Sequence, residues 1–181
     1  FGCYAEFDTT DHPEVMVRSG ISYVDMAGAS NNLSNEIMEP FGWNFEAVRK
    51  HQSDSWNNIL NRVRIYSNDY REKVRFYTNL YRAFCRNTFS DADRRWVDAA
   101  GNIQKLDDPD AVALGCDAFW NTFWNLNQVW NLIAPEWSSR WVKSQLAMYD
   151  ANGWLAKGPS GMKYIPVMVA EHEICLLYTS D

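Results

Sequence analysis

The sequence predicts a mainly α-helical fold in which a short β segment and connecting helices precede helical hairpins. Two observations support this prediction. From about residue 44 onward, apolar residues recur every three or four positions, the period of an amphipathic helix. Over residues 14–23 they alternate with polar residues, the period of a half-buried strand. Helix pairs of the predicted length fit a closed or open ring of stacked hairpins.

The composition is that of a folded protein and argues against two classes of function. Of the 181 residues, 46% are hydrophobic and 22% are charged, which argues against disorder. The net charge of −6 argues against a nucleic-acid partner. No stretch reaches the roughly 18 apolar residues of a membrane helix, so no membrane span is predicted. The unusual feature is aromatic, since six of the nine tryptophans lie between Trp120 and Trp154.

The first half of the chain predicts a strand and three helices. Residues 14–23 suit a strand, with Gly20 marking a bulge. Asn32 is predicted to cap a short helix that residues 40–42 break. Asn44 is predicted to cap a longer helix with one apolar stripe. A third helix over residues 71–86 has enough aromatic residues to be buried on two sides.

The second half predicts a β-hairpin and further helices. Residues 89–110 are polar, and Gly101-Asn102 is a turn signal, which favours a hairpin. A helix after residue 119 has two stripes, one apolar and one of tryptophan and amide side chains. Pro135 opens the next helix, and Asn152-Gly153 suits its left-handed cap. Pro166 is predicted to start the last helix.

Both ends of the chain predict a piece of a longer protein. The β segment before residue 24 has no partner strands elsewhere in the sequence, and a lone hairpin is marginal. Residues 175–181 look like translated sequencing-adapter read-through, the alternative being a native helix end. The other cysteines, Cys3, Cys85 and Cys116, are widely spaced, so neither a zinc site nor a disulfide framework is indicated.

Five short motifs occur in the order seen in glycoside hydrolase family 92, and the chain resembles that family over residues 1–174. The motifs are SGIS at 19–22, NNL at 31–33, FYTNLY at 76–81, FSD at 89–91 and WNTFW at 120–124. The resemblance implies a β-sandwich domain joined by linker helices to an (α/α)6 barrel. The resemblance implies that residues 1–28 end the sandwich, 29–64 are linker helices and 65–174 begin the barrel. Residues 175–181 are the predicted adapter read-through.

The resemblance also implies the activity of the parent protein. Family 92 members are exo-acting, inverting, calcium-dependent α-mannosidases that act on glycans, usually in the periplasm or outside the cell. Inversion needs two carboxylates roughly 6.5–9.5 Å apart, and Ca²⁺ takes about six to eight oxygen ligands. In the family these groups lie further along the barrel. We therefore expect no catalytic residue and no metal ligand in this chain, which should be inactive alone.

The residues that the resemblance assigns to substrate binding are Trp120, Asn121, Trp124, Asn127, Glu171 and His172. Asn121 and Trp124 stand where the family has Asp and Arg, which exchanges charge-assisted hydrogen bonding for stacking. The tryptophans could instead form an inter-helix seam. Glu171 could be a solvated helix end and His172 a core histidine. Asp91 and Asp93, beside Arg94 and Arg95, are interpreted as a turn cap and surface ion pairs.

Two other functions remain open. One is a non-catalytic carbohydrate-binding relative, which the substitutions at Asn121 and Trp124 suggest. The other is an aromatic-rich helical interaction domain that does not bind sugars. The oligomeric state is not predicted.

We predict that residues 1–181 expressed alone are insoluble or molten. A ring of helix pairs that is cut open exposes apolar faces, those of Trp137 and Trp141 among them, and such patches promote aggregation. Light scattering and a thermal melt test this. A soluble monomer with a sharp cooperative melt would contradict the truncation argument.

Overall fold

The structure is a computed structural model that describes residues 2–11, 13–115, 122–157, 165–166 and 174. It is mainly helical. The helices are α1 Met26–Leu33, α2 Glu39–Phe41, α3 Phe45–Leu60, α4 Tyr70–Phe84, α5 Asn127–Ile133 and α6 Pro135–Asn152, with π-helical segments at Ser34–Met38 and Thr122–Leu126. The strands form two antiparallel pairs, β1 Arg95–Val97 with β2 Ile103–Lys105 and β3 Ala156–Lys157 with β4 Ile165–Pro166. Every helix in the described part is too short or too polar to traverse a bilayer.

The core forms where α4, the β1–β2 hairpin, α5 and α6 meet. Trp130 of α5 lies 6.0 Å from the ring of Phe84 in α4 and 6.1 Å, edge to face, from Trp141 in α6. Phe89 packs edge to face against Trp96 of β1 at 6.1 Å. All five rings are buried. Buried aromatic rings therefore occur both in the hairpin and in the helices of this core, which also contains aliphatic side chains such as Leu80, Leu114 and Met148.

Several predicted elements are confirmed at their ends. Asn44 caps α3, because its Oδ1 accepts a hydrogen bond of 3.0 Å from the Ala47 N–H. Pro135 begins α6, and Gly153 ends it at a φ of 75°. The β-hairpin predicted within residues 89–110 is present as β1 and β2, paired from Arg95–Lys105 to Val97–Ile103. Local capping chemistry was sufficient to locate these ends.

Two predicted boundaries are wrong. Asp25, not Asn32, caps the first helix, since the Asp25 carboxylate accepts from the Gly28 N–H at 2.6 Å. Asn32 lies inside α1 and is buried, so its amide serves a tertiary contact. Pro166 does not start a helix but pairs with Ala156 in β4. Proline at a strand position is compatible with an edge strand.

The predicted strand over residues 14–23 has no pairing partner among the described residues. Side chains hold this extended segment instead. The Arg18 guanidinium lies 3.5 Å above the Trp43 ring and donates to the Gly42 carbonyl at 2.9 Å. At Gly20 a Cβ would overlap the Ala29 carbonyl oxygen, so this glycine permits close packing and not a bulge.

Two residues that were expected at the surface are buried. Trp141 is 1% exposed, and its ring packs edge to face against Trp130 of α5. Asp91 is 5% exposed and hydrogen-bonded, and its ion pair is therefore not a surface pair.

Arg95 joins the start of α1 to the turn before β1. Its guanidinium contacts Asp25 at 2.9 Å and Asp93 at 2.6 Å. The hydrogen bond from Arg95 lowers the pKa of Asp25, with a further contribution from the Gly28 N–H. Burial alone would raise the pKa of Asp93, but hydrogen bonds from Arg95 outweigh it and lower that pKa. The two carboxylates in turn raise the pKa of Arg95.

We predict that Arg95→Gln lowers stability at neutral pH and that its effect fades in acid. A carboxylate with a lowered folded-state pKa stabilises the fold above its unfolded pKa, about 3.9 for Asp, and loses that contribution as pH falls through the folded value. Melting temperatures of wild type and variant between pH 3 and 7 test this. The exposed pair of Arg49 with Glu46 provides the control, and Arg49→Gln should shift melting little. A constant difference across the range would contradict the prediction.

We predict that Gly28→Ala destabilises the protein although it lies in a helix. Helix propensity alone would give a gain of about 0.5–1 kcal/mol. A Cβ at Gly28, however, would overlap Asp91 Oδ2 and lie 2.7 Å from Ser22 Oγ, so we expect a net loss of about 2 kcal/mol. Denaturant unfolding measures it. Gly2→Ala is the control, because nothing lies within 4 Å of that position. A stabilised Gly28→Ala variant would contradict the packing.

Candidate functional site

A polar cleft of about 580 Å³ lies between the extended N-terminal segment, the first helices and the turn before β1. Three of the five motifs meet there, although they are far apart in the sequence. The cleft is lined by residues of 19–23, 32–33, 36–37 and 88–91. Its volume falls within the range of small-molecule sites.

Asp91 is the centre of the hydrogen bonds in this cleft. Its carboxylate accepts from Ser22 Oγ at 2.8 Å and from Asn32 Nδ2 at 2.9 Å, and Arg95 Nη2 lies at 3.8 Å. Asn32 Nδ2 also donates to the Ile21 carbonyl at 2.8 Å. Both carboxylate oxygens are therefore engaged by the protein. Asp91 could act as a general base only by breaking this network, so its geometry suits a structural role.

The turn that carries Asp91 is also paired with residues 113–115. Phe89 N donates to the Ala113 carbonyl at 2.9 Å, and Gly115 N donates to the Asn87 carbonyl at 2.9 Å. The hydroxyl of Ser90 accepts from the Ala113 N–H at 3.0 Å. Residues 113–115 precede the predicted substrate-binding positions at 120–127 in the sequence. The turn and residues 113–115 are therefore joined by three hydrogen bonds.

Two of the six predicted substrate-binding residues lie in the described chain. Trp124 is 68% exposed in the π-helical segment, and Asn127 is 6% exposed at the start of α5. The two side chains do not share one exposed surface, because the π-helical segment departs from the 3.6-residue repeat on which a common stripe was predicted. Trp120, Asn121, Glu171 and His172 lie outside the described residues.

The exposed indole of Trp124 and the buried amide of Asn127 differ in what they can do. Trp124 offers a flat apolar face to a ligand. Asn127 Oδ1 is buried without a hydrogen-bond partner among the described residues. A buried acceptor of this kind needs a donor from a ligand, a water molecule or another part of the protein.

The described residues do not fit a calcium site. Among them no group of three His, Cys, Asp or Glu side chains is placed to hold a metal ion. Where three carboxylates come near one another, at Asp25, Asp91 and Asp93, the cation between them is Arg95.

Sequence analysis did not identify the connection between Ser22, Asn32 and Asp91. Each belongs to a motif quoted for the resemblance, which was the signal available. Their pairing was not predictable, because contacts across 59 and 69 residues leave no local pattern.

The fold is similar to that of solved α-mannosidases. The family GH92 α-mannosidase BT3965 from Bacteroides thetaiotaomicron matches with a TM-score of 0.73 and 26% identity, over 86% of this chain and 21% of its own. A structure of BT3965 in complex with mannoimidazole matches with a TM-score of 0.73 and 25% identity, over 86% of this chain and 20% of its own.

The family GH92 inverting mannosidase BT2199 from the same organism matches with a TM-score of 0.73 over 88% of this chain and 21% of its own, and its 21% identity supports the fold alone. No curated protein matches significantly. The chain thus spans about a fifth of the length of these structures. The model of the glycosyl hydrolase family 92 catalytic domain matches residues 28–180, and the chain therefore belongs to this family.

Proposed function

We propose that the protein carrying this chain is an exo-acting, inverting α-mannosidase that removes mannose from the α-mannosides of glycans. The observation that supports this most strongly is the match of the family 92 catalytic domain to residues 28–180. The likeness to BT3965, whose complex holds mannoimidazole, adds a mannose-like ligand in a relative. By the same resemblance, the protein acts in the periplasm or outside the cell.

The domain arrangement is part of the proposal. Residues 1–28 complete a β-sandwich, 29–64 form the linker helices, and 65–174 begin an (α/α)6 barrel. The packing of α4 against the α5–α6 hairpin through Phe84, Trp130 and Trp141 is the packing that neighbouring barrel helices need. Paired helices with apolar faces on both sides stack in such a ring.

The proposed division of labour places substrate binding in this chain and catalysis elsewhere in the protein. In inverting hydrolysis a general acid protonates the leaving oxygen while a general base activates water on the opposite face of the sugar. Asp91, the most buried carboxylate of the cleft, is engaged by Ser22 and Asn32. The catalytic acid and base, and the oxygen ligands of a calcium ion, are proposed to lie further along the barrel.

Trp124 is the residue that would give this protein a sugar specificity different from that of other family members. The resemblance places it where the family has an arginine, and its indole is 68% exposed. An indole stacks on the C–H face of a sugar, while an arginine donates hydrogen bonds to its hydroxyl groups. We propose that this protein binds its sugar at that position by stacking.

The second candidate function is a non-catalytic carbohydrate-binding relative. The same exchange at Asn121 and Trp124 favours it, since both departures remove charge from the substrate side. It requires that sugars bind and that no glycosidic bond is cleaved.

We predict that the intact protein releases mannose from α-mannosides, that β-mannose is the first product seen by NMR, and that a calcium chelator abolishes release. Mannoside binding in calorimetry without release would favour the second candidate. Neither binding nor release would contradict both.

We predict that Trp124→Ala raises KM about tenfold, because the stacking of a sugar on an indole is lost. Leu132→Ala is the matched control: Leu132 lies on α5, which follows the π-helical segment of Trp124, and is 82% exposed, so it tests the loss of an exposed apolar side chain nearby in the chain. Equal KM values for the two variants would contradict stacking at Trp124.

A further inference from the structure

We infer that Asp91 is a positioning residue for the proposed substrate site: it locks the turn at 87–91 in place, and that turn holds the segment that leads to Trp124. This inference rests on the proposed function and names a residue that acts on the site from a distance. Asp91 does not touch substrate in this account.

The first step concerns the hydrogen bonds between Asp91 and its partners Ser22 and Asn32, called the lock below. Asp91 receives hydrogen bonds from Ser22 Oγ and Asn32 Nδ2, which come from the N-terminal segment and from α1. Asn32 Oδ1 accepts in return from the Ala92 N–H at 2.7 Å. One buried asparagine therefore holds both Asp91 and the residue that follows the turn, Ala92. A buried polar network whose members are all partnered rigidifies its surroundings.

The second step carries this rigidity to the next segment. The turn pairs with residues 113–115 through the Phe89 N–H to the Ala113 carbonyl and through the Gly115 N–H to the Asn87 carbonyl. A Cβ at Gly115 would overlap the Asn87 side chain, so the turn and residues 113–115 are in close contact. On the other side, the Leu114 N–H donates to Ser144 Oγ of α6 at 2.9 Å. Residues 113–115 are thus held between the turn and α6.

The third step is the charge. Arg95 Nη2 lies 3.8 Å from Asp91 and contacts Asp25 and Asp93 at shorter distances. An asparagine at position 91 would keep the shape of the side chain but leave it one acceptor oxygen, so it could not accept from both Ser22 Oγ and Asn32 Nδ2 as the carboxylate does. We therefore expect Asp91→Asn to open the lock without creating a cavity.

The test uses the intact protein and three variants. Asp91→Asn opens the lock. In Asn32→Asp combined with Asp91→Asn, the amide of residue 91 can donate to the carboxylate of residue 32, which should restore that one contact, while the hydrogen bond to the Ile21 carbonyl is lost. Asp98→Asn is the matched control, since Asp98 is 4% exposed and accepts hydrogen bonds from Ala100, Asn102 and Gln104 within its own hairpin.

The kinetic readout separates positioning from stability. We expect Asp91→Asn to raise KM for an α-mannoside about tenfold, as for the loss of one hydrogen bond to the sugar, and the double variant to recover part of this rise. A merely structural role would lower the active fraction and leave KM unchanged. An unchanged KM in Asp91→Asn, or an equal rise in Asp98→Asn, would overturn the inference.

A second readout does not depend on activity. Hydrogen exchange at the amides of residues 113–115 should be faster in Asp91→Asn and unchanged in Asp98→Asn; equal exchange in the two would overturn the inference. If the wild type releases no mannose, the proposed function fails, and exchange still decides whether Asp91 restrains this segment. If Asp91→Asn does not fold, Ser22→Ala removes one hydrogen bond of the lock and is measured instead, with the same two outcomes.

Discussion

The buried carboxylate of Asp91 is the constraint on which the arrangement of the described chain depends. It joins the turn at 87–91 to Ser22 of the N-terminal segment and to Asn32 of α1, which lie 69 and 59 residues earlier in the chain. Burying a carboxylate without partners destabilises the folded state, and here hydrogen bonds from Ser22 and Asn32 and the nearby charge of Arg95 offset the loss of hydration. The close approach of α1 at Gly28 follows from the same contact, because only glycine leaves room for the Asp91 oxygen.

The aromatic core and this polar junction have different tasks. Phe84, Trp130 and Trp141 fix the helices against one another by non-directional apolar contact. Such contact tolerates small shifts. Hydrogen bonds at Asp91 are directional and so fix the register of the turn relative to residues 113–115. The chain therefore combines a helical core that tolerates small shifts with a hydrogen-bonded junction at Asp91 that fixes the position of residues 113–115.

Family membership and the details of this chain also make different contributions. Membership in glycosyl hydrolase family 92 rests on a match that covers residues 28–180. The proposed sugar contact rests on Trp124, which the resemblance places where the family has an arginine. Function is carried by such groups and not by the fold alone.

The sequence by itself determined the helical class, the start of α3, both ends of α6, the hairpin and the family, because capping residues, apolar periodicity and ordered motifs are local signals. Tertiary structure alone decided that Asn32 leaves its predicted cap to bind Asp91, that Trp141 is buried and that Trp124 and Asn127 face different surroundings. The physical reason is the same in each case. A side chain bonds to the groups that lie near it in space, and Asn32 donates to Asp91, which is 59 residues away in the chain.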